Sequence, residues 1–178
     1  MPKKIAKILV SLAGEFAVLS QLALRGKDAN MTLGNTKGVD ILVSDPATGK
    51  MLKIEVKTHC RIIRDAGINS RIFGRYLSSW IMSKKHERNV EKADADLFYC
   101  FVSITKETKP RFFIVPAKVV AKYIRWEIRH YRKMQKAVGR VVKDVGMRQF
   151  RIGSKNHKDK KKETLVAEMY EDNWKFRG

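Results

Sequence analysis

The sequence predicts an α/β fold: a helix, a meander of three short strands, a second helix and a fourth main strand, followed by a basic C-terminal helix. Two observations support this order. Apolar residues recur every three to four positions in some segments, and short alternating or wholly apolar runs lie between turns rich in glycine and proline. The chain has 178 residues, 44% of them hydrophobic, which suits one domain with its own core. We predict a single domain over residues 1–178, with a core at about 4–105 and a basic extension at about 116–178.

The first helix is predicted at about Lys4–Arg25, where apolar residues recur at helical spacing and Gly26 provides a stop. Glu15 lies at the edge of the apolar stripe, and no cation stands three or four residues away to pair with it. A carboxylate on a packing face costs free energy unless it is paired, which makes Glu15 a candidate site residue. The alternative is a peripheral glutamate whose carboxylate reaches the solvent.

Three short strands are predicted after this helix, at Asn30–Leu33, Val39–Ser44 and Met51–Thr58. A meander is the simplest pairing of these strands. The stretch Arg61–Tyr76 follows, with four arginines and no periodic pattern. It is predicted to be a long loop, a kind of segment that often carries function.

The second helix is predicted at about Ser78–Lys92. The apolar run Leu97–Ile104 is typical of a buried strand, and Arg111–Val115 is its predicted hairpin partner. A strand–helix–strand crossover would make the Leu97–Ile104 strand parallel to its neighbour, so we predict a mixed sheet.

A basic C-terminal helix is predicted at about Pro116–Lys136, with proline at a favoured first-turn position. Val120, Ile124 and Ile128 form its apolar face. The opposite face, called the basic stripe below, consists of Lys118, Lys122, Arg125, Arg129, Arg132 and Lys136. Ordinary solvated faces mix both signs of charge, so this nearly pure positive face favours contact with nucleic-acid phosphates over simple solvation.

The charge of the whole chain supports the same interpretation. With 38 Lys and Arg against 18 Asp and Glu, the net charge is +20, and such an excess repels itself unless a polyanion neutralises it. Nucleic acid is the first candidate partner, and an anionic membrane surface the second. The run Lys155–Lys162 is predicted to be a loop that either grips phosphates or keeps the protein soluble; its cations include Lys158, Lys160, Lys161 and Lys162.

Apolar stretches and cysteine content bear on the location of this chain. No uninterrupted apolar stretch approaches ~20 residues, so a membrane-spanning segment is not predicted. Cys60 and Cys100 are too few for a disulfide framework or a cysteine zinc site, and they suit a reducing cytoplasm.

The strongest chemical signal is the tripeptide Glu55-Val56-Lys57 at the end of the third predicted strand. Side chains alternate along a strand, so Glu55 and Lys57 are predicted to be neighbours on one face, roughly 6–7 Å apart. Asp40 would project from the adjoining strand if the two strands pair as a hairpin. Two carboxylates and an ammonium at strand ends are what a metal-assisted attack of water on a phosphodiester needs.

The pattern resembles the PD-(D/E)XK nuclease superfamily, which has the restriction-endonuclease-like fold. The signature of that superfamily is an acid, a spacer and then acid-X-Lys, often with a glutamate on the first helix. The matching residues here are Asp40, Glu55, Lys57 and Glu15. The resemblance covers about residues 4–105 and departs at Gly38-Val39, where the superfamily often has proline.

The resemblance implies a core of helix, three-strand meander, helix and strand, and a magnesium ion for which manganese would substitute. Asp40, Glu55 and the backbone carbonyl of Val56 would hold this ion. Lys57 would orient the attacking water or stabilise the negative charge that develops in the transition state. Glu15 would hold a second metal ion or a water bound to the metal.

These observations together predict a metal-dependent DNA endonuclease of the restriction-like, junction-resolving or repair type. One site per subunit must cut two strands, so we expect a homodimer. Two alternatives stay open. Acid-X-Lys tripeptides are common on strands whose charged face simply meets water. The chain would otherwise be a non-catalytic basic nucleic-acid-binding protein, for instance a decayed nuclease, although a pure binder has no reason to gather three acids around one lysine.

Overall fold

The computed structural model describes residues 5–32, 38–45, 49–61, 68–90, 95–105, 109–153 and 165–176, and describes no side chains at 45 and 88–90. These residues form two α-helices, α1 (Lys7–Ala23) and α2 (Ala117–Lys136). They also form the strands β1 (Asp28–Met31), β2 (Ile41–Asp45), β3 (Lys50–Cys60), β4 (Ile68–Ser70), β5 (Gly74–Tyr76), β6 (Ser78–Ser83), β7 (Leu97–Ile104), β8 (Arg111–Pro116), β9 (Met147–Gly153) and β10 (Leu165–Val166). Short 3-10 helices span Lys84–Val90 and Ala167–Met169.

Contacts within the chain divide it into two compact units. The first unit consists of Met1–Ile62, Ala95–Pro116 and Tyr170–Gly178, and so contains α1, β1–β3, β7 and β8. The second unit consists of Ile63–Asp94 and Ala117–Met169, and so contains β4–β6, α2, β9 and β10.

The first unit is built on a five-stranded sheet in the order β1-β2-β3-β7-β8. Neighbouring strands are antiparallel except β3 and β7, which run parallel with Val56 opposite Cys100. The predicted mixed α/β architecture is therefore confirmed.

Helix α1 packs on one face of this sheet through its small and apolar residues. Val18 and Leu22 are fully buried in one cluster with Val56 of β3. Gly14 allows the close approach of helix and strand, because a Cβ at this position would overlap the side chain of Thr58. Since protein interiors tolerate such overlap poorly, Gly14 sets the distance between α1 and β3.

The second unit combines a three-stranded sheet, in the order β10-β9-β6, with α2. Val120 and Ile124 on α2 are fully buried, so the apolar face of this helix is confirmed. Next to them, Glu127 forms a buried ion pair with Arg151 of β9 at 2.6 Å. Burial raises the pKa of Glu127, and the hydrogen bond from Arg151 opposes this shift.

The prediction of a second core helix is wrong, because the segment Ser78–Lys92 begins with strand β6 and continues as a 3-10 helix. Ser78, Trp80 and Met82 are buried, whereas Ile81 is 63% exposed. This period of two belongs to a strand. Pairing with β9 supplies the backbone hydrogen bonds that a helix would have formed within itself.

Other segments differ from the prediction to a smaller degree. The predicted loop Arg61–Tyr76 contains the antiparallel hairpin β4–β5, and β9 was not predicted. Near the C-terminus Trp174 packs within the first unit, with its ring centroid 5.4 Å from that of Phe112. Within the described ranges, no helix has both the length and the apolar character needed to span a membrane.

Candidate active site

Asp40 lies where strands β2 and β3 separate. The last residue pair of their ladder is Ile41 with Ile54, and the Asp40 N–H still donates to the Ile54 carbonyl at 2.8 Å. Beyond this point the Asp40 side chain replaces a backbone acceptor: its Oδ2 accepts a hydrogen bond from the Val56 N–H at 2.6 Å. The Asp40 carboxylate is thereby held at the opening between the two strands.

The approach to Asp40 depends on a glycine. Gly38 has a φ of +78°, in the left-handed region that favours glycine. A Cβ on Gly38 would lie 3.3 Å from Oε2 of Glu55, so the backbone passes close to this carboxylate. The Thr32 hydroxyl donates to the Val39 carbonyl at 2.7 Å and holds the segment in place. The segment Gly38-Val39, where the superfamily often has proline, therefore brings the backbone before Asp40 close to the Glu55 carboxylate.

Glu55 and Lys57 are neighbours on one face of β3, as the alternation of side chains predicts. Nζ of Lys57 lies 2.6 Å from Oε1 of Glu55. The side chain of Glu55 is only 5% exposed and that of Lys57 is 27% exposed. The ammonium therefore compensates a buried carboxylate while part of the lysine still faces the solvent.

Tyr99 on β7 is a further member of this site, and sequence reasoning missed it. It stands opposite Glu55 in the parallel ladder of β3 and β7, and it is 2% exposed. Burial, the charge of Glu55, a hydrogen bond donated to Glu55 and the charge of Asp40 raise the pKa of Tyr99 far above its usual range. Tyr99 therefore stays protonated. Its hydroxyl is hydrogen-bonded to Glu55, and the negative charges of both Glu55 and Asp40 oppose its ionisation. The sequence signal was weak, a single tyrosine in an apolar strand.

Glu15 lies on the helix that covers the opposite face of the sheet. Its Oε1 accepts a hydrogen bond from Ser11 at 3.1 Å, so the half-buried carboxylate has a local partner that is not a cation. Its neighbour Gly14 packs against Thr58, whereas Glu55 and Lys57 point to the other side of β3. The fold thus brings Asp40, Glu55, Lys57 and Tyr99 together and places Glu15 across the sheet.

His59 continues the charged face of β3 beyond Lys57. Burial, followed by the positive charge of Arg61, lowers the pKa of His59 from 6.5 to about 4. The imidazole is therefore neutral at physiological pH and adds no positive charge to this face.

The donor set of the site is small. Among the described residues, no three His, Cys, Asp or Glu side chains lie in a group that could hold a metal ion. Asp40 and Glu55 supply two carboxylates, and Val56 adjoins both through its backbone. Magnesium commonly binds through one or two carboxylates and keeps several waters, so these residues fit magnesium. They do not fit zinc, which takes at least three protein ligands.

The basic stripe on α2 is only partly available to a ligand. Arg125 donates to the Glu87 carbonyl at 3.2 Å, and Arg132 pairs with Asp144 at 3.2 Å. The exposed members of the stripe are Lys118, Lys122, Arg129, Arg132 and Lys136. The lysines predicted to contact phosphate in the C-terminal loop lie outside the described residues; they are Lys158, Lys160, Lys161 and Lys162.

The comparison with solved structures finds a likeness in fold. No family model matches the sequence, and no curated protein matches it. The structure is similar to the solved structure of a bacterial homing endonuclease, I-Ssp6803I, with a TM-score of 0.50 and 13% sequence identity. The similarity covers 97% of this chain and 91% of that chain. The protein therefore has a nuclease-like fold over nearly its whole length.

Proposed function

We propose that this protein is a metal-dependent DNA endonuclease of the PD-(D/E)XK type. The observation that carries the proposal is the arrangement of Asp40, Glu55 and Lys57, with Tyr99, at the opening between β2 and β3. The net charge of +20 and the likeness to a homing endonuclease support DNA as the substrate.

Each residue of the site has a proposed role. Asp40 and Glu55 would hold magnesium, or manganese in its place, with the Val56 carbonyl as a further ligand. When bound, the ion would lower the pKa of a coordinated water and neutralise charge on the phosphate. Lys57 would orient the attacking water or stabilise negative charge in the transition state, since its ammonium is already in the site. Tyr99 would keep Glu55 oriented by its hydrogen bond.

The test of this proposal is a cleavage assay on supercoiled, linear, branched and single-stranded DNA, with magnesium, manganese or a chelator. Uncharged variants of similar size keep the packing of each side chain. Because Lys57→Met or Glu55→Gln alone removes one partner of the buried ion pair, melting curves must verify that each variant is folded, and the double variant Glu55→Gln with Lys57→Met removes both charges together. We expect Asp40→Asn, Glu55→Gln and Lys57→Met each to slow cutting by about 100-fold or more. Lys53→Met is the matched control, since Lys53 lies on the same strand and face.

A second function, non-catalytic nucleic-acid binding, is favoured by one observation. The carboxylate of Glu55 is already paired with Lys57 at 2.6 Å, so its charge is compensated without a metal ion. Manganese binding followed by electron paramagnetic resonance separates the two functions. A nuclease should bind the ion in the wild type and lose it in Asp40→Asn. DNA binding without any manganese binding, and without cutting of any of the four substrates, would establish the non-catalytic function.

We also propose that two copies associate through the exposed face of α1. The large apolar side chains on this face are Ile8, Leu9, Leu12 and Phe16, with exposures of 76%, 56%, 40% and 53%, and Ile5, 45% exposed, precedes the helix. Monomeric proteins rarely leave apolar patches larger than several hundred Å² uncovered. Only Lys7 and Glu15 are charged within α1, so this face suits neither DNA phosphates nor an anionic membrane surface.

A second copy is therefore the occupant that fits this face best. Antiparallel pairing of two α1 helices would bury the same apolar residues on both copies, as a two-fold interface requires. It would also supply the two active sites that cutting both DNA strands demands.

A further inference from the structure

The hairpin β4–β5 in the second unit has a turn that its own residues stabilise. The Ser70 hydroxyl accepts hydrogen bonds from the N–H groups of Ile72 and Phe73, at 3.3 and 3.1 Å. Gly74 follows with a φ of +69°, in the left-handed region. A three-residue loop closed by such a glycine is a common hairpin form, so the turn geometry is well defined by the sequence.

One side of the hairpin is fixed to α2 and β9. Phe73 is 3% exposed, and its ring lies nearly parallel to that of Tyr131, with centroids 6.4 Å apart. The Arg151 guanidinium lies 3.7 Å from the centre of the Phe73 ring. His130 Nε2 donates to the Ile72 carbonyl at 2.8 Å. These contacts hold the tip of the hairpin firmly.

The other side of the hairpin presents three polar side chains to the solvent. Asn69 and Arg75 face each other across the ladder, and Arg71 begins the turn. All three are exposed. In the described part of the chain neither guanidinium has an ion-pair or hydrogen-bond partner, and the segment Ile68–Tyr76 contains no acidic residue. In this respect the two arginines differ from Arg125 and Arg132 on α2, which are already engaged.

We infer that the β4–β5 hairpin enters the major groove of double-stranded DNA and determines sequence specificity through Asn69, Arg71 and Arg75. The inference rests on the proposed DNA function and assigns base recognition to a segment separate from the catalytic residues. The major groove admits a two-stranded ribbon. Arginine pairs with guanine through O6 and N7, and asparagine pairs with adenine through N6 and N7. A firmly held ribbon keeps these groups in register with the base edges.

The competing role for these cations is phosphate contact without base recognition. The two roles differ in their response to Arg75→Lys. A lysine keeps the charge but loses the planar pair of donors that matches guanine. Base recognition therefore predicts relaxed specificity in Arg75→Lys with an unchanged dependence of affinity on salt. Phosphate contact instead predicts that Arg75→Lys keeps the wild-type sequence preference. It also predicts that Arg75→Ala lowers the salt dependence of affinity without changing the sequence preference.

The experiment is selection of preferred sites by the full-length protein from a library of duplexes with about 20 randomised base pairs, a length near that of a two-turn DNA site. We expect the wild type to enrich a defined motif. Arg71→Ala, Arg75→Ala, Arg75→Lys and Asn69→Ala should each lose discrimination at one or two base pairs of that motif, by about 10-fold to 100-fold. Lys118→Ala on α2 is the control, which should weaken binding without changing the motif. Circular dichroism and melting curves verify that each variant is folded.

The outcomes separate this inference from the proposed function. DNA cutting with no enriched motif, or a motif unchanged in all four hairpin variants, would overturn base recognition by the hairpin and leave the endonuclease proposal intact. Enrichment that depends on the hairpin in a protein that cuts no DNA would support the inference and contradict the endonuclease proposal.

Discussion

At the scale of single residues, Tyr99 is hydrogen-bonded to Glu55 and feels the charge of Asp40. Its hydroxyl donates to Glu55, which is almost fully buried. Tyr99→Phe removes this donor and leaves a charged acceptor undersatisfied, so we expect a loss of about 1.5–3 kcal/mol of unfolding free energy. The magnesium concentration for half-maximal cutting should also rise. Urea unfolding and a metal titration measure the two effects, and Tyr170→Phe, at a half-exposed tyrosine of the same unit, is the control. Equal metal dependence of Tyr99→Phe and wild type would exclude a positioning role.

His59 predicts how stability depends on pH. Its pKa in the folded protein is about 4, below the ordinary 6.5, so only the unfolded state takes up this proton between those values. Stability from the neutral imidazole is therefore present above about pH 6.5 and is lost as the pH falls towards 4, by about 2–3 kcal/mol. Below pH 4 both states are protonated and the loss is complete. His59→Gln should remove this contribution, and urea unfolding of both proteins from about pH 4 to about pH 8 measures it. Parallel curves for the two proteins would contradict the lowered pKa.

At the scale of elements, α2 has separate packing and solvent faces, and its cations are not equivalent. Arg125 and Arg132 make contacts within the second unit, so reversing their charge would break these contacts as well as any contact with DNA. Lys118 and Lys122 are exposed, and reversing both to glutamate should weaken binding to two unrelated duplexes alike. The slope of log affinity against log salt should fall by about one unit for each phosphate that the variant no longer neutralises.

A matched control for the α2 test comes from the first unit. Lys109 and Lys175 are also exposed, and reversing both changes the net charge by the same amount. A salt titration of DNA binding compares the two double variants. If both lower the slope equally, the effect comes from net charge, and the basic stripe is not a phosphate-binding surface.

At the scale of the whole molecule, the proposed dimer determines whether two active sites act together. Ile8→Glu with Phe16→Glu places two charges on the exposed face of α1, and we expect this variant to be a monomer by analytical ultracentrifugation at micromolar concentration. The wild type should be a dimer. Ile81→Glu, at another exposed apolar residue with 63% exposure, should not change the dimer. The monomeric variant should nick one strand of supercoiled DNA where the dimer linearises it. A monomeric wild type would contradict the proposal.

The sequence by itself determined the parts of this protein that depend on short-range periodicity. Helical spacing predicted α1 and α2, and alternation along one strand predicted that Glu55 and Lys57 are neighbours. The sequence also predicted that Asp40 would project from the strand beside Glu55, and the hydrogen bond between Asp40 and the Val56 N–H agrees with this placement. In each case the decisive information lies within a few residues along the chain.

The tertiary structure alone decided what depends on pairing between distant segments. Strand β6 resembles a helix in isolation, and only its ladder with β9 shows which period governs burial. Tyr99 joins the site because the register of β7 on β3 sets it opposite Glu55, and register is a property of two strands. The same holds for Glu15, whose place on the far side of the sheet follows from the packing of Gly14 on Thr58. Local sequence can agree with both the helical period of about 3.6 residues and the strand period of two. Contacts between residues far apart in sequence decide which of the two the chain adopts.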